Sequence, residues 1–424
     1  MGYEKMSISS LVIRLVSKKQ IYVIAGSRQS NLQKVSKSPK LARVKKMEIF
    51  KELRAELKKI ESETKHEGYW YSVSDVLIIL VCGMLNGLKT IDAIHDWTKS
   101  VPCQAFLYDY FGIQRTPCRA QFYNILGCID AEKFKKLFIR WMQGVIGTPL
   151  SGKTVAIDGK TVCGSDKLTK DGMILNIVSA YVSEFKMVIG SHECTSKPGE
   201  RAAFRELLEL LDVRGAVVVA DALHCTQKTV KSVIEAGADY LFVVKNNVPS
   251  LKASIKNHFE TESTTAHTTH EKNGGRIEKR TAYACSEIEW LKDKAKWKNI
   301  STIGAIRRTF EKDGKTSDEW HYYISSAVLS PSELLNHARM EWGVESMHWL
   351  LDVHFAEDKN RVWDMNVQKI LNTSRKIALN LVRIFRDSNY NANTPLTSVF
   401  KENLFDTCKL TAFLDFFTAR GKLD

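Results

Sequence analysis

Two short apolar runs constrain this chain more than anything else in it: Ala156-Ile157-Asp158-Gly159-Lys160-Thr161 and Val217-Val218-Val219-Ala220-Asp221-Ala222. Continuous β-branched and apolar residues predict strands buried on both faces, as in a parallel sheet. Burial does not explain the aspartate at the end of each run, because the carboxyl end of such a strand opens into a cleft. Two strands of this kind deliver two acids to one place. A third acid from elsewhere would complete a divalent-metal site for phosphodiester chemistry. Taken singly, each acid has an ordinary explanation. Asp158 before Gly159 suits a turn, and Asp221 suits the cap of a helix starting near Thr226.

The third acid is Glu345, within Arg339-Met340-Glu341-Trp342-Gly343-Val344-Glu345-Ser346-Met347-His348-Trp349. Helical spacing puts Trp342, Glu345 and Trp349 in one arc. An acid among tryptophans is costly to bury unless a cation meets it. Three converging carboxylates repel, and without a cation at least one takes up a proton. Two ions about 3.5–4 Å apart would instead activate an attacking oxygen and stabilise a leaving one. Ligands that are all oxygen favour Mg2+ or Mn2+.

The formal net charge of +14 points to a polyanionic partner. Its distribution qualifies that: residues 1–46 carry eleven Lys and Arg against Glu4 alone, which leaves +4 for the other 378 residues. Nucleic-acid contacts on the folded part must therefore be local patches. The candidates are Lys160 and Lys245 beside strand ends, Asn247 just after the second of these, and Arg276 and Arg280 in a loop. Arg375 and Lys376 lie in a basic outer stripe on a helix from about Asn366 to Arg386. A solvated lysine explains Lys160 or Lys245 equally well, and core packing explains Trp290, Trp297 and Trp320 better than base stacking does. The nine cysteines have no C-x-x-C spacing, which predicts reduced thiols in a cytoplasmic protein. The run Val76–Leu85 is too short to span a bilayer and reads as a buried helix.

Patterning divides the chain into three parts. Residues 1–46 lack a sustained period and read as a disordered basic arm. Residues 47–150 show amphipathic helices, the first with Ile49, Phe50, Leu53, Leu57 and Ile60 on one face. From 151 the order becomes strand (Thr154–Asp158), hairpin (Ile174–Val182 and Met187–His192), helix (Glu200–Leu211), strand (Ala216–Asp221), helix (Thr226–Ala236) and strand (Tyr240–Lys245). A β-rich insertion follows at about 260–328, polar over Thr261–Gly275. Pro331 then opens one long helix through Trp349. The class is α/β, a mixed sheet with flanking helices.

These stretches together resemble the DDE transposases of the ISAs1 group, the H-repeat-associated proteins within the IS4-like set. The resemblance is carried by Ala156–Thr161, Val178-Ser179-Ala180, Asp221-Ala222, Asp239–Lys245, Tyr322–Ala327, Trp342-Gly343-Val344-Glu345, His348–Val353 and Glu357-Asp358. It covers nearly all of Met47 to about Arg386. It implies an RNase H-like core, interrupted by a β-rich insertion before the glutamate and preceded by a helical DNA-binding or associated domain. Asp158, Asp221 and Glu345 are implied as the catalytic, metal-binding triad. So are cleavage at transposon ends, transfer of the 3′-hydroxyl to target DNA, and a homodimer on paired ends. The wider IS4-like signature has an arginine four residues before the glutamate and a lysine seven after it. Here Glu341 and Asp352 stand there, and the ISAs1 group itself lacks that lysine.

Overall fold

The computed structural model describes residues 49–63, 71–147, 149–162, 175–194, 199–262, 264–273, 276–312, 315–391 and 393–418. The arm expected at 1–46 lies outside them. Six helices come first: α1 (Ile49–Glu63), α2 (Val73–Leu85), α3 (Ile91–Thr98), α4 (Val101–Phe111), α5 (Arg119–Cys128) and α6 (Ala131–Ile146). Ser72, Thr90, Ser100 and Asp130 set four of their starts, each accepting a backbone N–H two or three residues on. The apolar run ending at Leu85 is buried along α2. No helix among the described residues is long and apolar enough to cross a membrane.

The remainder runs β1 (Thr154–Thr161), β2 (Asn176–Val182), β3 (Met187–Cys194), α7 (Glu200–Leu210), β4 (Val217–Ala220), α8 (Gln227–Glu235), β5 (Asp239–Val244) and α9 (Pro249–Thr261). Then come β6 (Ala266–Asn273), β7 (Arg276–Cys285), β8 (Thr302–Lys312), β9 (Lys315–Ser325), α10 (Pro331–Met340), α11 (Trp342–Phe355) and α12 (Met365–Asn389), with α13 (Leu396–Phe405) and α14 (Thr407–Thr418) after them. All nine strands share one sheet in the order β3-β2-β1-β4-β5-β9-β8-β7-β6. β1, β4 and β5 are mutually parallel, and the other pairings are antiparallel. This mixed sheet with flanking helices is the α/β class that the sequence predicts.

Alternation along the strands sorts their residues onto two cores. Val155, Ile157, Val218, Ala220, Tyr240 and Phe242 pack on the side of α7, with Phe204 and Leu207. Ala156, Val217, Val219, Leu241 and Val243 pack on the opposite side, with Leu334 of α10 and Val344, Met347 and Leu351 of α11.

Three expectations need correction. The segment 260–328 is β-rich, but its strands lengthen the central sheet: β9 pairs with β5 from Leu241↔Ser325 to Val244↔Tyr322. β6 was hidden within the polar stretch because it is an edge strand, so its side chains carry no apolar alternation. The expected single helix Pro331–Trp349 divides at Glu341. Ser183 Oγ donates to the Met340 carbonyl at 2.8 Å, and Gly343 nestles against Tyr181, where a Cβ would lie 2.9 Å from the ring. Finally, α12 has no basic outer stripe at Arg375 and Lys376. It packs against α2, α5, α6, β3 and α11, and is buried over most of Val367–Ile384.

Candidate active site

Strand register brings the first two acids together. β1 pairs with β4 from Thr154↔Val217 to Ala156↔Val219. Carried two residues on, that register sets Asp158 beside Asp221, on neighbouring strands about 4.8 Å apart. Both lie two residues beyond partners facing α10 and α11, so both face that side. β1 does not stop at Asp158; it continues to Thr161 because β2 stays paired, from Asp158↔Ser179 to Thr161↔Asn176. Asp158 thus stands where β1 has lost one neighbour and kept the other, and it is not a turn residue. Asp221 is extended (φ −68°, ψ 174°), and its Oδ1 accepts the Leu223 N–H at 2.7 Å. The start of α8 is capped by Thr226.

α11 runs alongside β1. The His348 ring approaches Asp158 (Nδ1 to Oδ2, 3.7 Å), and one turn further on Asp352 meets Lys160. Glu345 is on the same side of the helix, three residues before His348. Burial pushes the Asp158 carboxyl up to about 6, helped by the negative charges of Asp221, Glu200 and Glu345 and opposed by the Gly159 N–H. Burial likewise pushes Glu341 up to about 7, reinforced by Asp221, Asp158 and Glu345 and opposed by Lys245. Asp158 and Glu341 therefore share the field of Asp221 and Glu345, and Asp158 also feels Glu200. His348 is held neutral, pushed down to about 3 by burial and then by Lys160 and Lys376. Among the described residues, no three of these side chains stand as a ready-made metal-holding group. The donors are carboxylate oxygens, the chemistry a hard divalent cation takes, and their mutual repulsion is what such a cation relieves.

Gly159 points to the opposite face, where α7 begins. A Cβ there would lie 2.4 Å from the Glu200 carboxyl carbon. The glycine lets Glu200 press against β1, and Glu200 in turn reaches His224 (Oε1 to Nε2, 3.3 Å). Asn247, just after β5, donates its Nδ2 to the carbonyls of Ala222 (2.7 Å) and Cys225 (3.3 Å), bracing the turn that carries Asp221.

The structure redistributes the DNA-contact candidates. Lys245 is exposed and near enough to the acids to affect Glu341. Lys160 is only 12% exposed and is enclosed by Asp352, Glu357 (3.1 Å) and Asp358 (3.3 Å); its charge serves the protein interior, not a phosphate. Arg280 lies on β7 and not in a loop; it is buried, paired with Glu271 and Glu278. Arg375 and Lys376 are 2% and 1% exposed. Glu357 compensates both electrostatically, and Lys376 donates to Asn372 Oδ1 at 2.5 Å. None of these four reaches a ligand at the surface. The side chain of Arg276 lies outside the described set. Asn247 is exposed, with its amide committed to the Asp221 turn. Trp297 is core, whereas Trp290 is half exposed and stacks on His258 at 4.8 Å. Trp320 stacks between Tyr283 and Tyr322.

These features define an α/β protein with a carboxylate cluster where parallel strands meet a helix. The chain belongs to the DDE transposases: the family described as "Transposase DDE domain" matches residues 150–381, and "DDE_Tnp_1-associated" matches residues 55–142. It is similar to "Putative transposase YncI" of Escherichia coli O157:H7, 30% identical over 328 residues, covering 75% of this chain and 83% of that one. It is also similar to "H repeat-associated putative transposase YhhI" of Escherichia coli K12, 29% identical over 325 residues, covering 74% and 85%. Among solved structures, a chain of a piggyBac transposase synaptic complex with hairpin DNA aligns at a TM-score of 0.43 and 14% identity, covering 91% of this chain and 82% of that one.

Three participants escaped sequence reasoning as site residues: Glu341, Glu200 and His348. Two had a signal. His348 is one turn from Glu345, and a glycine inside a strand, as at Gly159, marks close approach by another group. Glu341 needed the helix break, and Asn247, expected at DNA, braces the Asp221 turn through a loop contact that no local pattern announces.

Proposed function

We propose that this transposase cuts DNA at the ends of a mobile element and joins the freed 3′-hydroxyl to target DNA, using Asp158, Asp221 and Glu345 as ligands for two Mg2+ or Mn2+ ions. The observation that carries this reading is the β1–β4 register, which sets Asp158 beside Asp221 on the face that α11 covers with Glu345. When bound, the ions would stabilise the attacking and leaving oxygens of an in-line displacement. Asp158 and Asp221 hold their place because the sheet fixes their backbones. Asn247 keeps the Asp221 turn from swinging, and Glu345 comes from a helix whose start is held by Gly343 against Tyr181 of β2 and by Ser183 of the β2–β3 turn on the Met340 carbonyl that precedes it. Lys245, exposed and close enough to act on Glu341, would take a backbone phosphate. Cleavage and joining are both phosphoryl transfers, so one centre serves each in turn. Paired ends call for a homodimer on double-stranded DNA.

The test uses purified protein, a labelled linear duplex bearing the element's terminal repeats, and Mg2+. Nicks at the element boundary, lost in Asp158→Asn and Asp221→Asn, support the reading. Boundary-independent cutting would identify another nuclease of this fold, and binding without nicks a catalytically inactive relic.

A further inference from the structure

A second feature lies around α11 from the acids. A cleft of about 760 Å3 opens between α11, the β2–β3 turn, the C-terminal part of α12 and the segment before α13. On an ideal helix, Ser346, Trp349 and Val353 of its lining are about 40–100° from Glu345. Trp349 is 60% exposed and Val353 is exposed too, an apolar strip uncovered beside a proposed catalytic residue.

The charge of the cleft is one-sided. Lys186, Arg339, Arg383 and Arg386 line it, and no carboxylate is among its described lining residues. Arg339 is engaged by Glu271 and Arg386 by Asp387. Lys186 is exposed and makes no ion pair among the described residues. Arg383 is buried and donates only to neutral oxygens, Tyr181 Oη at 3.2 Å and the Lys186 carbonyl at 2.7 Å. With no carboxylate hydrogen-bonded to it and only the field of Asp387 nearby, this buried guanidinium leaves room for a further anion. A cleft of this size encloses about one or two nucleotides and not the body of a duplex. An exposed indole beside unneutralised cations is the combination that holds unpaired nucleic acid, with bases on the ring and phosphates on the charges.

We propose that this cleft binds a short unpaired stretch of DNA, with a base against Trp349 and phosphates on Lys186 and Arg383. The inference rests on the transposase reading for the identity of the polymer. It places the unpaired nucleotides within one helical turn of Glu345, next to the proposed phosphoryl-transfer centre.

The test titrates the full-length protein into fluorescein-labelled oligothymidine and into a duplex of equal length, across a range of salt. Trp349→Ala should weaken oligothymidine binding about ten-fold or more, as loss of one base stack does. Lys186→Ala should reduce the slope of log K against log salt by about 0.7, one phosphate contact on a single strand. Duplex binding and the melting temperature should stay at wild-type values in both. Oligothymidine affinity and salt slope unchanged in both variants would overturn the inference. So would wild-type protein that ignores oligothymidine while Trp349→Ala abolishes self-association, because a second copy would then be the occupant. Boundary nicking is scored separately. Variants that lose oligothymidine binding in a chain that never nicks would sink the catalytic reading and keep the cleft, and a nicking chain whose variants bind oligothymidine as before would do the reverse.

Discussion

Lys160 makes opposite predictions as a phosphate contact and as an interior charge. Lys160→Met keeps the stem and removes the ammonium from Asp352, Glu357 and Asp358. Glu357 is 2% exposed and would retain only the Asn372 amide (2.5 Å) among its hydrogen-bond donors. Breaking a buried pair costs about 3–5 kcal/mol. Asp352 and Asp358 are each about a third exposed, so their pairs contribute at most ~1 kcal/mol apiece. Glu357 can relieve part of the loss by taking up a proton, which sets the expectation near the lower end, about 3 kcal/mol. With a urea m-value of about 3 kcal/mol/M, the unfolding midpoint should fall by about 1 M. Lys160→Met/Glu357→Gln should recover most of that, because the charge left stranded is gone. The reasoning is refuted if the midpoint of Lys160→Met moves by less than about 0.2 M while the salt slope for DNA drops by about one.

The remaining predictions concern the acid cluster and its supports. Asp158 and Glu341 are pushed up to about 6 and about 7, so between about pH 4 and 7 the folded state binds more protons than the unfolded one. Their contribution to stability therefore falls as pH rises through that window, which thermal melts should show. Saturating Mg2+ or Asp158→Asn/Glu341→Gln should flatten the dependence, and an unchanged slope in the double variant would contradict the assignment. Gly159→Ala puts a methyl against Glu200 and should destabilise the fold by about 1–3 kcal/mol in urea melts, with Glu200→Ala in the same chain restoring it. Asn247→Ala frees the Asp221 turn, and single-turnover nicking should slow by about 10- to 100-fold with DNA affinity unchanged. Equal losses in affinity and rate would make Asn247 a DNA contact instead.

Much of the fold was legible because burial writes itself into periodicity. β4 is apolar at each position, since a central parallel strand has no solvent face, and Asp221 stands out after it. The first helix was legible from the helical spacing of Ile49, Phe50, Leu53, Leu57 and Ile60, which is a local pattern. The break at Glu341 was not, because it depends on Ser183 and Tyr181, which lie far away in sequence. The same holds for charge. Lys160, Arg280, Arg375 and Lys376 look like surface cations in a linear chain, and only the fold brings Glu357, Glu271 and Glu278 to meet them. Asp158 and Asp221 differ from these bases in that each follows an apolar strand run, and the register of the two strands brings them side by side.

Crystals grown with Mn2+ and measured at its absorption edge would test the central claim most directly. Anomalous peaks are expected about 2.0–2.3 Å from carboxylate oxygens of Asp158 and Asp221, with Glu345 completing the set and the peaks absent from Asp158→Asn crystals. Peaks held by other residues, or none at this cluster in protein that still nicks DNA, would contradict it.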